Sequence, residues 1–367
     1  MFRVDHDKNI GIGYMAYELL GEGTYGCVYK PSLPCKEKGI SYKNKLSKLM
    51  LTSAAIKEIQ EYAMIDSVDK TAEFYTGKPV RCTLKNSPAV AAAVKKCGVN
   101  GIKNKTAKEV AKGSSLLIIG DGGLDLDKWV KQVKSAEVSG FWREMMRMFR
   151  GIQVLQKHSI VHHDIKPQNI VYNAETGRSA LIDFGLMRSI KTEAARCSMI
   201  EGCNARSHWN YPTENMLSNR NVFDQVAGKT EEEKKKTLEV YLKNIRTGAD
   251  TAFVKAYQVF VRHCVPKEDT DRRKRFVDRF WKAWRSLFLS VKPGAYSEFL
   301  QKTLNTFDVV GFGMTLMFIL SRVKRFMKRS TVKKMDDLFF RMLTPNAFDR
   351  LTIDEAMAGY EEILTTL

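Results

Sequence analysis

Residues 160–185 read IVHHDIKPQNIVYNAETGRSALIDFG, and the fold turns on them. Two short apolar runs, Ile170-Val171-Tyr172 and Ala180-Leu181-Ile182, flank Asn173-Ala174-Glu175-Thr176-Gly177. Brief apolar runs around an Asn- and Gly-bearing turn predict a β-hairpin. Asp164, Lys166 and Asn169 precede the first strand and Asp183 ends the second, so a hairpin gathers two carboxylates, an amide and an ammonium on one patch. That mixture suits phosphoryl transfer. Carboxylate and amide oxygens bind Mg2+, a free carboxylate accepts a hydroxyl proton, and an ammonium neutralises charge on the moving phosphate.

HHDIKPQN followed by IDFG resembles the catalytic loop and metal-binding loop of eukaryotic-type protein kinases. The spacing also resembles that family: five positions from Asp164 to Asn169 and nineteen from Asp164 to Asp183. The resemblance implies an α+β, bilobal protein-kinase fold. Its N-lobe is small and β-rich with one main helix, and its C-lobe is large and helical. It also implies ATP and Mg2+ as cofactors, with ATP between the lobes. Asp164 orients and deprotonates the substrate hydroxyl, Lys166 stabilises phosphate charge, and Asn169 and Asp183 hold the metal. Lys166 further implies serine/threonine rather than tyrosine acceptors.

Composition bounds the rest. The chain has 367 residues, enough for one two-lobed domain. The start lacks a basic head followed by an unbroken apolar stretch, so no secretory signal is expected. The longest apolar segment, 309–320, is too short to span a membrane. Seven cysteines lie scattered without a C-x-x-C pair, which favours a reducing, intracellular setting over a disulfide framework. The net charge of +19 is compatible with an acidic partner or nucleic acid, but the Lys and Arg residues run through the whole chain and no nucleic-acid motif accompanies them.

Residues 17–30, YELLGEGTYGCVYK, carry Gly21, Glu22, Gly23 and Gly26 between alternating apolar residues. Alone this G-x-G-x-x-G is compatible with a Rossmann turn. The run continues as a strand through Val28, as in the kinase glycine-rich loop, so Val28 is expected on the adenine and Cys27 has no role. Lys48 is the candidate phosphate-binding lysine, with Lys45 and Lys43 as rivals. Residues 52–66 have helical spacing and offer Glu58, or else Glu61, as the partner of Lys48. Residues 115–119 read as a strand before the Gly120-Asp121-Gly122-Gly123 break. Adenine is expected near Ile118 to Gly120, and Asp125 or Asp127 is placed near the ribose. The N-lobe is therefore 1–119 and the C-lobe 120–367.

His162 is expected to pack beneath Phe184. His163 stands where many kinases have an arginine that meets an activation-loop phosphate, so activity is expected not to depend strictly on that phosphorylation. Residues 186–214 form the candidate activation segment, closed by Tyr211-Pro212-Thr213-Glu214. Glu214 is expected to pair with Arg350, and Asp308 to bond the catalytic-loop backbone. Glu214 and Asp308 lie 94 positions apart, far more than the family needs, so 216–305 is an insertion. Its aromatic residues at helical spacing predict extra helices packed by Phe276, Phe280, Trp281 and Trp284, with a docking surface as the alternative. This insertion and Ser47-Lys48-Leu49-Met50 are similar to kinases encoded by large nucleocytoplasmic DNA viruses, which implies host cytoplasm or virion as the location. The expected activity is transfer of the ATP γ-phosphate to protein hydroxyls. The alternative is a pseudokinase or basic scaffold.

Overall fold

The structure is a computed structural model that describes residues 17–23, 26–199 and 208–367. Part of the candidate activation segment, 200–207, therefore lies outside the described residues, as does the chain start.

Two compact units form. One holds the described residues up to Gln60 together with Gly77–Asp121; the other holds Glu61–Thr76 and Gly122–Leu367. The first unit contains strands β1 (Glu18–Glu22), β2 (Gly26–Lys30), β3 (Lys45–Leu51), β4 (Val80–Cys82) and β5 (Ser114–Gly120). They form one antiparallel sheet in the order β1-β2-β3-β5-β4. Helix α1 spans Thr52–Val68, and its residues from Glu61 onward group with the second unit, where Tyr62 and Ile65 are buried. Residues 61–76, read from sequence as N-lobe, group with the other unit, and Tyr62, Ile65 and Tyr75 are buried in its core.

The single expected N-lobe helix is joined by two short ones, α2 (Pro88–Val94) and α3 (Ala107–Gly113). Both starts are written in the sequence. Ser87 caps α2 and Pro88 fills its first turn, while Thr106 and Glu109 form a reciprocal capping box on α3. An alanine-rich run without apolar periodicity hid them.

The cysteine expectation is corrected here. Cys27–Cys97 and Cys35–Cys82 are disulfides, with Cα–Cα separations of 5.9 and 5.7 Å. The partners are 70 and 47 residues apart. The sheet and α2 bring them together, so no local spacing could announce them. Cys27 is consequently a cross-link and not a bystander.

The second unit continues with β6 (Leu124–Asp125), α4 (Leu126–Trp129), α5 (Ser135–Lys157), β7 (Ile160–Val161), β8 (Ile170–Asn173), β9 (Arg178–Leu181), β10 (Arg188–Ser189) and α6 (Ile190–Ser198). Helices α7 (Arg220–Ala227), α8 (Glu231–Thr247), α9 (Ala252–Cys264), α10 (Thr270–Ser290) and α11 (Tyr296–Asn305) occupy the region of the expected insertion. They are followed by α12 (Phe307–Val323), α13 (Arg329–Leu343) and α14 (Ile353–Leu364). Phe276, Phe280 and Trp284 are buried and Trp281 is half-buried, so α10 packs along the stripe that its spacing predicts. Among the described residues no single helix is long and apolar enough to cross a membrane.

Helix α12 is buried almost end to end and meets the loop at 162–165. Gly311 permits that approach: a Cβ there would lie 2.6 Å from the Ile165 carbonyl oxygen.

Candidate active site

In the second unit β8 and β9 pair antiparallel, with Ile170 opposite Leu181 and Asn173 opposite Arg178. Gly177 closes the turn at φ +64°, a conformation that favours glycine. At the other end of this hairpin the Ile182 amide donates to the Asn169 carbonyl at 3.0 Å. That bond sets Asp183, exposed and at φ +67°, one residue beyond Asn169's own backbone contact.

Asp164 sits on the loop between β7 and β8 with its side chain only 10% exposed. Lys166 Nζ donates to its Oδ1 at 2.9 Å and to its Oδ2 at 2.7 Å. Asn169 Nδ2 donates to the Asp164 carbonyl at 2.9 Å and to Oδ2 at 2.8 Å. With its nitrogen so engaged, Asn169 presents its amide oxygen as a donor atom. That oxygen and the exposed Asp183 carboxylate are hard oxygen ligands, which fits Mg2+. Sequence reasoning missed one further contact. Asn210, 2% exposed, donates through Nδ2 to Asp164 Oδ1 at 2.9 Å.

The loop is held from below. Asp308 Oδ2 accepts from the His162 amide at 2.7 Å and its Oδ1 from the His163 amide at 3.0 Å. The His162 and Phe184 rings lie 5.4 Å apart, and Phe184 meets Tyr62 edge-on at 5.0 Å. His163 has φ +66°, contacts the Leu186 carbonyl through Nδ1 and, among the described residues, leaves Nε2 buried without a partner. Burial lowers its pKa, against the smaller opposing pull of Asp308. A neutral imidazole has little attraction for a phosphate.

Glu214 and Arg350 pair with both side chains fully buried. Arg350 also donates to the Thr344 carbonyl and to the Thr306 hydroxyl, each at 3.0 Å. The Asp125 carboxylate accepts from the Lys128 amide as the cap of α4, and Asp127 pairs with Lys131; neither is free of local duties.

In the first unit Lys48 Nζ meets Glu58 Oε2 at 2.5 Å, and Lys48 lies opposite Val28 on β2. The glycines of the loop differ in what demands them. A Cβ on Gly26 would meet the Leu49 carbonyl oxygen at 2.8 Å, so β3 already excludes a side chain there. A Cβ on Gly21 would have open space, and one on Gly23 would meet nothing closer than 3.9 Å. Among the described residues no neighbour excludes side chains at those two positions. The Glu22 carboxylate turns to the Gly98 amide at 2.7 Å, beside the Cys27–Cys97 bridge. Ile118 is buried and flanked by Ser47 on β3 and Val80 on β4, whereas Gly120 lies beyond β4 and pairs only with Lys45.

With this geometry in view, the comparisons with known proteins are informative. The protein kinase domain family model matches residues 109–208.

That segment holds Asp164, Lys166, Asn169 and Asp183, and it supports a eukaryotic-type protein kinase.

The mouse protein "Dual specificity protein kinase TTK" is 30% identical over 88 residues, 23% of this chain and 10% of the relative. The "Probable cell division control protein 7 homolog 2" of Encephalitozoon cuniculi is 37% identical over 54 residues, 15% of each. The matched part thus spans no more than about a seventh of these relatives. The sheet-rich start and mostly helical remainder fit the kinase fold. Lys48 and the glycine-rich loop lie outside the family match.

Proposed function

We propose that this chain is a serine/threonine protein kinase that transfers the γ-phosphate of ATP to protein hydroxyls. The observation that carries the reading is the Asp164 carboxylate. It is buried at the end of the hairpin and shared by Lys166 and Asn169, with Asp183 one residue past the Ile182–Asn169 bond. Asp164 orients the acceptor hydroxyl and takes its proton. Lys166, beside it, shifts toward the transferring phosphate and offsets its developing charge. Asn169 and Asp183 hold the magnesium, which when bound neutralises phosphate charge. Gly21 and Gly23 let backbone amides approach the phosphates, and Glu58 steers Lys48 toward them. Gly26, Val28 and Gly120 complete the nucleotide assignment, with Ile118 supporting it from within the sheet.

Lys166 is the feature that favours serine and threonine; the mouse relative is a dual specificity protein kinase by name, which makes tyrosine the outcome to exclude. The likeness to kinases of large nucleocytoplasmic DNA viruses belongs to the same proposal and rests on Ser47-Lys48-Leu49-Met50 and the helices of 216–305. The deciding experiment offers radiolabelled ATP, Mg2+ and three peptide pools with serine, threonine or tyrosine as sole acceptor. Label in the first two pools, lost on Asp164→Asn, is expected. Equal labelling of tyrosine overturns the acceptor assignment.

A further inference from the structure

Asp164 Oδ1 accepts from Lys166 and Asn210, and Oδ2 from Lys166 and Asn169. A carboxylate offers about four acceptor positions, so all are filled. A substrate hydroxyl needs one of them, and Lys166 is the donor suited to yield. It occupies a position on both oxygens and has a phosphate to turn toward. Once it turns, the carboxylate rotates freely unless both oxygens are still held. Asn169 holds Oδ2. The only other side chain hydrogen-bonded to Oδ1 among the described residues is Asn210.

Asn210 is built for this task. It is 2% exposed, inside a turn closed by the Tyr211 amide donating to the His208 carbonyl at 3.0 Å. The turn is anchored on both sides: Tyr211 packs edge-on against Phe307 at 5.0 Å, and Glu214 is locked to Arg350. The amide orientation is also fixed. Asn210 Oδ1 is in hydrogen-bond contact with His208 Nδ1. With the proton on that nitrogen, the amide oxygen faces the imidazole and the NH2 faces Asp164. The flipped amide would set oxygen against carboxylate.

Resting on the kinase reading above, we infer that Asn210 is a positioning residue that fixes the Asp164 carboxylate for the acceptor hydroxyl while Lys166 serves the phosphate. The role is orientation, so it falls on turnover and not on nucleotide affinity.

The test measures kcat and KM for ATP in the full chain as wild type, Asn210→Ala, Asn210→Asp, His208→Ala and Asp164→Asn, with thermal midpoints alongside. Asn210→Ala is expected to lower kcat by roughly tenfold or more, the value of one charge-assisted hydrogen bond, at nearly unchanged KM for ATP. Asn210→Asp is expected to be worse, although it matches the native size, because it replaces the donor with a second carboxylate. A role confined to filling space predicts the reverse order. Asn210→Asp as active as Asn210→Ala or more so, a loss in KM alone, or kcat within twofold of wild type for both overturns the inference. If both variants fail to fold, exposed His208→Ala decides: lower kcat at unchanged KM supports the role, and unchanged kcat refutes it. Wild type no more active than Asp164→Asn removes the kinase reading, and this inference with it.

Discussion

Asp308 carries a quantitative prediction. Its two oxygens satisfy the backbone amides of His162 and His163, residues that are 0% and 7% exposed. Asp308→Ala leaves two amides in places that water reaches poorly. Each unsatisfied buried donor costs about 1–3 kcal/mol, so the expected loss of stability is about 2–6 kcal/mol. Asp308→Asn keeps one acceptor and turns the other atom into a donor facing a donor, so its loss is expected to fall between wild type and alanine. The same two amides set the height of the Asp164 loop, and a displacement of about 1 Å at a reacting group costs roughly a hundredfold in rate. Urea unfolding of the full chain gives the stability, and phosphate transfer measured where each variant is still folded gives the rate. Asp308→Ala with the wild-type unfolding midpoint and wild-type turnover would refute the reasoning.

Other expectations follow from the same contacts. Glu214→Ala should destabilise by about 3–5 kcal/mol, since it strands the fully buried Arg350 guanidinium, and replacing both partners with apolar residues should recover much of that loss; denaturant midpoints of single and double variants check this. Reducing Cys27–Cys97 and Cys35–Cys82 frees loops of 70 and 47 residues, each worth about 4 kcal/mol in the chain-entropy account, so the melting temperature should fall in reductant. His163 titrates below its ordinary 6.5 because it is buried, so the unfolded chain takes up its proton first. Its contribution to stability is complete above pH 6.5 and is lost as pH falls through the lowered folded value. His163→Gln should flatten that acid limb in pH-dependent melts, and phosphatase treatment should leave wild-type activity intact.

What the sequence disclosed follows the range of each interaction. The hairpin of 170–181 was legible because its turn chemistry, strand residues and flanking carboxylates are contiguous. Lys48–Glu58 was legible because a strand leads straight into a helix, and the partner lies within its first two turns. Glu214–Arg350 and Asp308 span long separations and were readable only through the resemblance to kinases. The disulfides were not readable. Cys97 and Cys82 reach their partners through strands and a helix in 80–97, where apolar periodicity is weak. The capping signals at Ser87-Pro88 and Thr106–Glu109 were there to find. Asn210 gave no signal, since its meaning comes from a turn at 208–211 that presents an ordinary amide to a carboxylate 46 positions earlier.

The central claim is that residues 160–185 form a phosphoryl-transfer centre around Asp164 and Asp183. Transfer of labelled γ-phosphate from ATP with Mg2+ to a serine- or threonine-bearing protein, compared among wild type, Asp164→Asn and Asp183→Asn, tests it most directly. Wild type should incorporate label, and Asp164→Asn should fall by about 10²–10⁴-fold, the usual contribution of a positioned general base. Asp183→Asn should also lose its response to added magnesium. Transfer by either variant at the wild-type rate, or none by folded wild type, would contradict the account.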